Sequence, residues 1–251
     1  MEGQARALDI NVALLPAQRH ELRGRVCIVV DLLRASSSIA TILARGAREV
    51  VPAAGIEEAR RLHSQHPGYL LCGEQGGLPP EGFDYGNSPS EFARIDLAGR
   101  SIILATSNGT RILSQAAAAS RVLVGGLLNR SAVATAAAAF GGEITIVCAG
   151  AYEGQVFALE DAISAGAIVQ RLLELTPAAS LSDGARAALA IFESARPDLP
   201  SAIAACSHAQ DLVEIGLGED IAYCARLDAL PVAPLLARNE AGLPALRPAT
   251  A

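Results

Sequence analysis

The chain has 251 residues, of which 51% are hydrophobic and 18% are charged, so it contains enough apolar material for a large buried core. Its formal net charge is −6 and its sequence contains no lysine, which excludes Schiff-base chemistry and phosphate binding by a P-loop lysine. No basic stripe with interleaved aromatic residues is present, so we expect no binding to nucleic acid.

Two segments of the chain share one order of predicted elements. In the first, strands at residues 26–30, 49–53 and 69–72 alternate with helices at 36–45 and 56–65. In the second, strands at 101–105, 121–125 and 143–148 alternate with helices at 110–119 and 131–140. Strands that alternate with helices of this length are typical of a parallel α/β sheet.

The fold class predicted from this pattern is α/β, with parallel or mixed sheets, helices on both faces, and two similar β-α-β-α-β halves. The alternative is that all α/β chains look self-similar at this level of detail. The first unit covers residues 1–90 and the second covers 91–251, and both can pack as one compact unit. The second unit also contains helical patterns and a last strand, at residues 159–175, 183–195, 200–216, 221–230 and 232–237.

The cysteines and the chain's hydrophobic runs indicate the compartment. The five cysteines are widely spaced and form no CxxC pair. The first residues lack the apolar core of a secretion signal, and no apolar run approaches the ~20 residues of a membrane span. We therefore expect a reduced, cytoplasmic protein without a membrane association.

Ligands of open α/β sheets bind at the carboxyl ends of strands, and Asp31 directly follows the first predicted strand. A carboxylate there can hold a cation or attack phosphorus. Arg34 can add a bidentate phosphate contact, and the helix start at Ser36 and Ser37 offers free N–H groups to an anion. The alternative is a turn aspartate followed by a serine cap.

The loop at residues 73–89 follows the third strand and is rich in glycine and proline. Long loops without regular structure in compact domains are functional or disordered, and the apolar side chains within this one favour order. It carries three carboxylates, of which Glu74 lies at the strand end and is the strongest chemical candidate. Glu81 and Asp84 are interpreted as peripheral groups or groups that hold the loop.

The first strand of the second unit ends in a similar turn. Asn108 and Gly109 favour positive φ, so the amides from Asn108 to Thr110 can form an anion-binding nest, and Arg111 adds positive charge. The alternative is a capped helix start after a tight turn.

Two adjacent carboxylates, Glu160 and Asp161, follow the last strand of the second unit at a short distance. Because neighbours on a helix face different sides, we expect one to face the site and the other to cap or pair. The alternative is a solvated helix start near the favourable end of the helix dipole. His208 lies in an amphipathic pattern, where a lone histidine is more often structural.

Carboxylates that face two anion-binding helix starts are the arrangement of a metal-assisted phosphoryl site. Mg²⁺ prefers one or two carboxylates together with substrate phosphate and water. We predict Asp31 and Glu74 as its first ligands, with Glu160 or Asp161 as further ones.

Long motifs carry a family resemblance: VVDLLRASSSIATILARGA, GEQGGLPPEGFDYGNSP, ATSNGTRIL, VLVGGLLNRSAVA, IVCAGAYEGQVFALED and SHAQDLVEIGLGEDIAYCARLD. From about residue 26 to 236 the chain resembles the 2-phosphosulfolactate phosphatase family. The resemblance implies a Mg²⁺-dependent homodimer that hydrolyses 2-phospho-3-sulfolactate to sulfolactate and phosphate, a step of coenzyme M biosynthesis. Gln75 and Ala209 depart from the family pattern of Arg and Gly, and the loss of a cation at position 75 would weaken binding of a sulfonate or phosphate.

The hypothesis is thus a phosphatase for a small anionic phosphate ester. Asp31 and Glu74 are the catalytic candidates, with water favoured as the nucleophile over an aspartyl-phosphate on Asp31. The phosphate and the second anion would be bound by Arg34, Ser36, Ser37, Asn108, Gly109, Thr110 and Arg111. The alternatives are another small phosphorylated hydroxy acid as the substrate, or a non-catalytic dimer that binds anions.

Overall fold

The computed structural model describes residues 8–18, 21–106, 112–113 and 116–249. The ten strands of this part are β1 (Asp9–Ala13), β2 (Val26–Val30), β3 (Glu49–Ala53), β4 (Leu70–Gly73), β5 (Ser101–Ala105), β6 (Arg121–Gly125), β7 (Glu143–Cys148), β8 (Ser180–Leu181), β9 (Pro234–Arg238) and β10 (Pro244–Pro248). Its α-helices are α1 (Ala35–Ala44), α2 (Ile56–Gln65), α3 (Pro89–Phe92), α4 (Arg130–Phe140), α5 (Leu159–Leu175), α6 (Asp183–Ala195), α7 (Leu199–Ala204), α8 (Ser207–Glu214) and α9 (Gly218–Cys224).

All ten strands form one mixed sheet in the order β4-β5-β3-β10-β9-β6-β2-β7-β1-β8. The group β4-β5-β3 is parallel within itself, as is the group β6-β2-β7-β1-β8. The antiparallel hairpin β9-β10 joins them and pairs antiparallel with β6 and β3, so the two groups run in opposite directions. The α/β class predicted from the sequence is confirmed.

Helices cover both faces because the strands bury side chains on both. Every residue of β2 is buried, as is typical of a strand inside a parallel sheet. Cys27 and Val29 pack with α1 on one face, while Val26, Ile28 and Val30 pack with α4 and α5 on the other. Truncating Ile28 to alanine is expected to cost on the order of 2–5 kcal/mol of stability.

The strands of the two predicted units are interleaved in the sheet. Strand β2 lies between β6 and β7 of the second unit, and β5 lies between β3 and β4 of the first. The eight strands from β4 to β7 in this order are arranged symmetrically about the β10-β9 pair. Counted outward from that pair, β3, β5 and β4 on one side occupy the same positions as β6, β2 and β7 on the other. The two-half origin and the boundary at residue 90 stay predictions.

Several predicted elements differ from those observed. The single helix predicted at residues 200–216 is divided into α7 and α8, because Cys206 adopts an extended backbone at the start of α8. The helix predicted at 221–230 begins earlier and ends at Cys224. Strand β10 was not predicted, and its terminal prolines hide it from a pattern search. Of the helix predicted at 110–119, residues 110, 111, 114 and 115 lie outside the described residues, and Ala116–Ala118 forms a 3-10 helix.

One buried carboxylate attaches the last strand to the middle of the sheet. Glu49 on β3 accepts hydrogen bonds from Arg247 Nη2 at 2.6 Å and from Arg247 Nε at 2.9 Å. It also accepts from Asn239 Nδ2 and from the Tyr69 hydroxyl, both at 3.0 Å. Burial by itself would raise the pKa of Glu49, but these donors outweigh burial and lower it.

No helix in the described part of the chain is both long enough and apolar enough to cross a membrane.

Candidate active site

A cavity of about 590 Å³ lies where the residues that follow β2, β4, β5 and β7 meet. The sequence pointed to the residues after each of these four strands, and all four groups contribute to the lining, although the two groups of strands run in opposite directions. Its polar lining includes Asp31, Arg34, Glu74, Thr106, Glu160 and His208. Cavities of this size hold small-molecule ligands.

Asp31 is the buried carboxylate at the end of β2, with 6% of its surface exposed. One of its oxygens accepts the backbone N–H of Ala35 at 3.2 Å. The pKa of Asp31 is raised to about 6: burial is the largest cause and the charges of Glu74 and Glu160 also raise it, while His208 and the Ala35 amide lower it. The environment of Asp31 therefore favours a nearby positive charge.

The serines at the start of α1 bind the backbone of their own turn. The Ser36 hydroxyl donates to the carbonyl of Asp31 at 2.7 Å, and the Ser37 hydroxyl donates to the carbonyl of Leu32 at 2.8 Å. Neither serine is among the described residues that line the cavity. The contacts of both hydroxyls stabilise the turn that presents Asp31, and their role in substrate binding stays a prediction.

Arg34 lines the cavity and is held by a buried ion pair. Its Nη1 lies 2.9 Å from Asp220 Oδ2, and its Nη2 donates to the carbonyl of Gly77 at 2.7 Å. Asp220 Oδ1 in turn accepts from the hydroxyls of Ser88 and Ser90, both at 2.7 Å. These contacts use two of the five N–H donors of the guanidinium. They fix the orientation of Arg34 and leave the other donors for a ligand.

Asp220 was not singled out in the sequence. It follows Glu219 directly in the first turn of α9, and no local pattern distinguishes the two carboxylates. Asp220 is 1% exposed, whereas Glu219 forms a surface pair with Arg94. The difference arises from contacts with residues far away in the chain, so sequence spacing could not reveal it.

The loop after β4 brings Glu74 to the cavity. Glu74 Oε2 accepts the backbone N–H of Gly77 at 2.9 Å, and this tight turn places Gly76 and Gly77 at positive φ. Asp84 Oδ2 accepts the N–H of Leu71 at 2.8 Å, which holds the loop against β4. The side chain of Gln75 is not among the described lining residues.

Asn87, at the far end of the same loop, carries an unsatisfied oxygen. Its Oδ1 is buried, has no hydrogen-bond partner among the described residues, and belongs to a side chain that lines the cavity. Its backbone carbonyl accepts the Ser38 hydroxyl at 3.1 Å, which fixes the position of the residue. A buried acceptor without a donor is costly, so this atom is suited to a ligand or a cation.

The adjacent carboxylates at the start of α5 make different contacts. Asp161 accepts the N–H of Leu32 at 2.8 Å with one oxygen and the N–H of Gly150 at 3.0 Å with the other, so it ties the end of β2 to the end of β7. Burial, Asp31 and Glu160 raise its pKa well above the ordinary value. Glu160 lines the cavity.

His208 lies beside Glu160, at the edge of the cavity. Its Nδ1 is 3.3 Å from Glu160 Oε1, and about a third of the imidazole is exposed while Glu160 is buried. Burial by itself would lower the pKa of His208, but the hydrogen bond and charge of Glu160 outweigh it, so the pKa is raised. This carboxylate–imidazole pair gives His208 a position that its sequence context did not predict.

Two further observations concern the residues predicted to bind the phosphate and the metal ion. The predicted nest residues Asn108, Gly109 and Thr110, and the adjacent Arg111, lie outside the described residues. Within the described chain, no three or more carboxylate, histidine or cysteine side chains are close enough together to hold a metal ion by themselves.

Among the described residues that line the cavity, carboxylates outnumber basic side chains. Its basic side chains are Arg34 and His208, and Arg34 is already paired. Its carboxylates are Asp31, Glu74, Glu153, Glu160 and Asp211. An anionic ligand at this site would therefore require additional positive charge.

Comparison with known proteins gives a consistent result over most of the chain. Residues 13–239 match the model of the family described as 2-phosphosulpholactate phosphatase. A "probable 2-phosphosulfolactate phosphatase" of Symbiobacterium thermophilum is 36% identical over 231 residues, which cover 91% of this chain and 97% of the relative. A protein of the same name from Pseudothermotoga lettingae is 38% identical over 234 residues, which cover 92% and 96%.

Proposed function

The chain belongs to the 2-phosphosulpholactate phosphatase family, and from this we propose that it hydrolyses 2-phospho-3-sulfolactate to 3-sulfolactate and phosphate with the help of Mg²⁺. The observation that carries the proposal is the cavity at the strand ends, where Asp31, Glu74, Arg34 and the His208–Glu160 pair meet. The names of the relatives supply the substrate.

The residues present fit a hard cation such as Mg²⁺. The lining is acidic, and the Asn87 Oδ1 atom is a buried oxygen donor without a partner among the described residues. Asp31 and Glu74 would hold the ion, because Mg²⁺ takes one or two protein carboxylates and keeps several waters. Asp161 is less suited since both of its oxygens accept backbone N–H groups, and Glu160 is engaged by His208. When bound, the ion would neutralise phosphate charge and act as a Lewis acid.

The other roles follow from the contacts of each side chain. Arg34, oriented by Asp220, would bind phosphate oxygens with its remaining donors. A water molecule would form the new bond to phosphorus as the bond between phosphorus and the C2 oxygen breaks, and the proton that the water loses would stay on the released phosphate. His208, whose pKa is raised by Glu160, would donate a proton to that leaving oxygen. Without this proton the leaving group would be a poorly stabilised alkoxide.

We expect phosphate release to require the metal. Wild-type protein dialysed against excess EDTA should lose activity on 2-phospho-3-sulfolactate and regain it when Mg²⁺ is added, because the described lining provides too little positive charge for a phosphate ester. Phosphate release is measured directly, and circular dichroism checks that the dialysed protein remains folded. Full turnover in EDTA would contradict the metal assignment.

Replacement of His208 by glutamine should slow the reaction strongly when the leaving group needs a proton and little when it does not. We expect kcat on 2-phospho-3-sulfolactate to fall about 100-fold, which is within the range for general acid catalysis. On 4-nitrophenyl phosphate the loss should stay within about 3-fold, since nitrophenolate leaves without a proton. His63→Gln, on α2 and away from the described cavity lining, is the matched control. Equal losses on both substrates would indicate a structural role instead.

The substrate, the assembly and the compartment are further parts of the proposal. Phosphoglycolate and 2-phospholactate are the alternative substrates, and kcat/KM over the three esters separates them. A non-catalytic anion-binding protein would instead bind phosphosulfolactate in calorimetry and release no phosphate over hours. We further propose a homodimer in the cytoplasm that acts in a pathway of the coenzyme M type. The five free and buried cysteines support a reducing compartment.

A further inference from the structure

We propose that Gly77 is a positioning residue, because its two backbone groups fix the carboxylate of Glu74 and the guanidinium of Arg34 relative to each other. This inference rests on the proposed function, in which Glu74 holds the metal ion and Arg34 binds the phosphate. It deepens that function by making metal binding at Glu74 depend on the contacts of Arg34, a cation that does not itself bind the ion.

Gly77 contacts both side chains through its backbone. Its N–H donates to Glu74 Oε2 at 2.9 Å, and its carbonyl accepts Arg34 Nη2 at 2.7 Å. Hydrogen bonds to charged groups are roughly twice as strong as those between neutral groups. Glu74 follows β4 and Arg34 follows β2, so Gly77 links residues from the two groups of strands that run in opposite directions.

Glu74 and Arg34 are each held at a second point. The backbone N–H of Glu74 donates to the carbonyl of Ala105, at the end of β5, at 3.0 Å. On the other side, Arg34 Nη1 pairs with Asp220 at 2.9 Å. Because both outer ends are fixed, a shift of Gly77 changes the position of the Glu74 carboxylate relative to the Arg34 guanidinium.

Gly77 has little freedom of its own because it belongs to a tight turn. Gln75 and Leu78 exchange two backbone hydrogen bonds, of 2.9 and 3.4 Å. Between them, Gly76 and Gly77 have φ angles of 60° and 85°. Positive φ at both central residues is typical of a type I′ turn and favours glycine at each position. The turn conformation therefore accounts for both glycines equally.

Gly77 differs from Gly76 in the space around it. A Cβ atom on Gly77 would collide with Cδ1 of Ile215, the residue after α8, and would lie 4.0 Å from Arg34 Nη2. A Cβ atom on Gly76 would meet no such neighbour within 4 Å among the described residues. Alanine at either position adds similar backbone strain, but only alanine at position 77 adds a collision beside Arg34.

The experiment measures Mg²⁺ binding by calorimetry in the absence of an ester. Gly77→Ala should bind Mg²⁺ about 10-fold more weakly than wild type, as is typical when the hydrogen-bond partner of a metal ligand is disturbed. Gly76→Ala is the matched control and should stay within about 2-fold, because its added strain comes without a collision. Combining Gly77→Ala with Ile215→Ala removes the collision and should restore most of the lost affinity.

Arg34→Lys tests the link without a change of charge. A single ammonium group cannot reproduce the planar guanidinium that contacts Asp220 and Gly77 at once. We therefore expect Mg²⁺ affinity to fall about 10-fold in this variant as well. Arg45→Lys, at an exposed arginine that is not among the described lining residues, should bind Mg²⁺ as wild type does.

Equal Mg²⁺ affinities of Gly77→Ala and Gly76→Ala would overturn the proposal, as would wild-type affinity in Arg34→Lys. If Gly77→Ala does not fold, Arg34→Lys decides alone. If wild type binds no Mg²⁺, the metal part of the proposed function fails by itself. Urea unfolding of the metal-free protein then tests the link: the losses of midpoint in Glu74→Ala and Arg34→Lys should not add up in the double variant, and additive losses would overturn it.

Discussion

Asp31→Asn is expected to lower kcat for phosphate release about 1,000-fold while making the metal-free protein more stable. Losing a group that stabilises the developing charge of a transition state costs on the order of 10²–10³ in rate, and loss of a metal ligand removes a larger charge. Stability should rise because burial, Glu74 and Glu160 raise the pKa of Asp31 to about 6, so its ionised form is unfavourable in the folded protein at neutral pH. Asparagine retains an oxygen that can accept the Ala35 amide.

The two readouts are kcat at saturating ester and the midpoint of thermal unfolding without metal. Their opposite directions separate a functional residue from a structural one, since a structural aspartate would lose both. Glu81→Gln removes the same charge from an exposed position in the loop after β4 and should keep activity within 2-fold. Asp31→Asn with more than a tenth of wild-type kcat would refute the assignment.

Asp220→Asn is expected to destabilise the protein by about 3–5 kcal/mol, because it leaves the charge of Arg34 buried without its partner. The side chains of Arg34 and Asp220 are 3% and 1% exposed, so water cannot replace the lost carboxylate. Urea unfolding measures the change. The variant protein that remains folded should also show a higher KM for the phosphate ester, since Arg34 would no longer be held at the cavity.

The adjacent residue provides the matched control. Glu219→Gln removes a carboxylate from the same helix turn, but its pair with Arg94 is 69–70% exposed, so the expected cost is below about 1 kcal/mol. If the two variants unfold at the same urea concentration, the buried pair is not the support for Arg34 that its geometry indicates.

The strands were predictable where a short apolar run ends in glycine or a polar turn. The predicted bounds at residues 26–30, 49–53, 101–105, 121–125 and 143–148 coincide with those observed. The order of strands was not predictable in this way, because it depends on pairings between distant segments. The central position of β9 and β10 in particular depends on Val50 and Leu123, far earlier in the chain.

The same division applies to the site. The strand-end rule selected Asp31 and Glu74, since it depends only on where a strand stops, and both line the cavity. It could not show that β2 and β4 belong to groups that run in opposite directions, so the meeting of the two side chains depends on the loops that follow the strands. The rule could not show that the Ser36 hydroxyl donates to the backbone of its own turn, because a hydroxyl at a helix start can bind either that backbone or a ligand. Nor could it pair Arg34 with Asp220, which lie 186 positions apart.

The central hairpin β9-β10 has a consequence for the order in which the protein is made. It lies at residues 234–248, so it is synthesised after the other described strands, yet it is the only connection in the described sheet between the two parallel groups. Until it leaves the ribosome, β3 and β6 each have an edge with unpaired backbone groups, and such edges invite pairing with other chains. The nascent chain therefore holds two incomplete sheets until β9 and β10 join them, and a truncation before Pro234 would leave both edges unpaired.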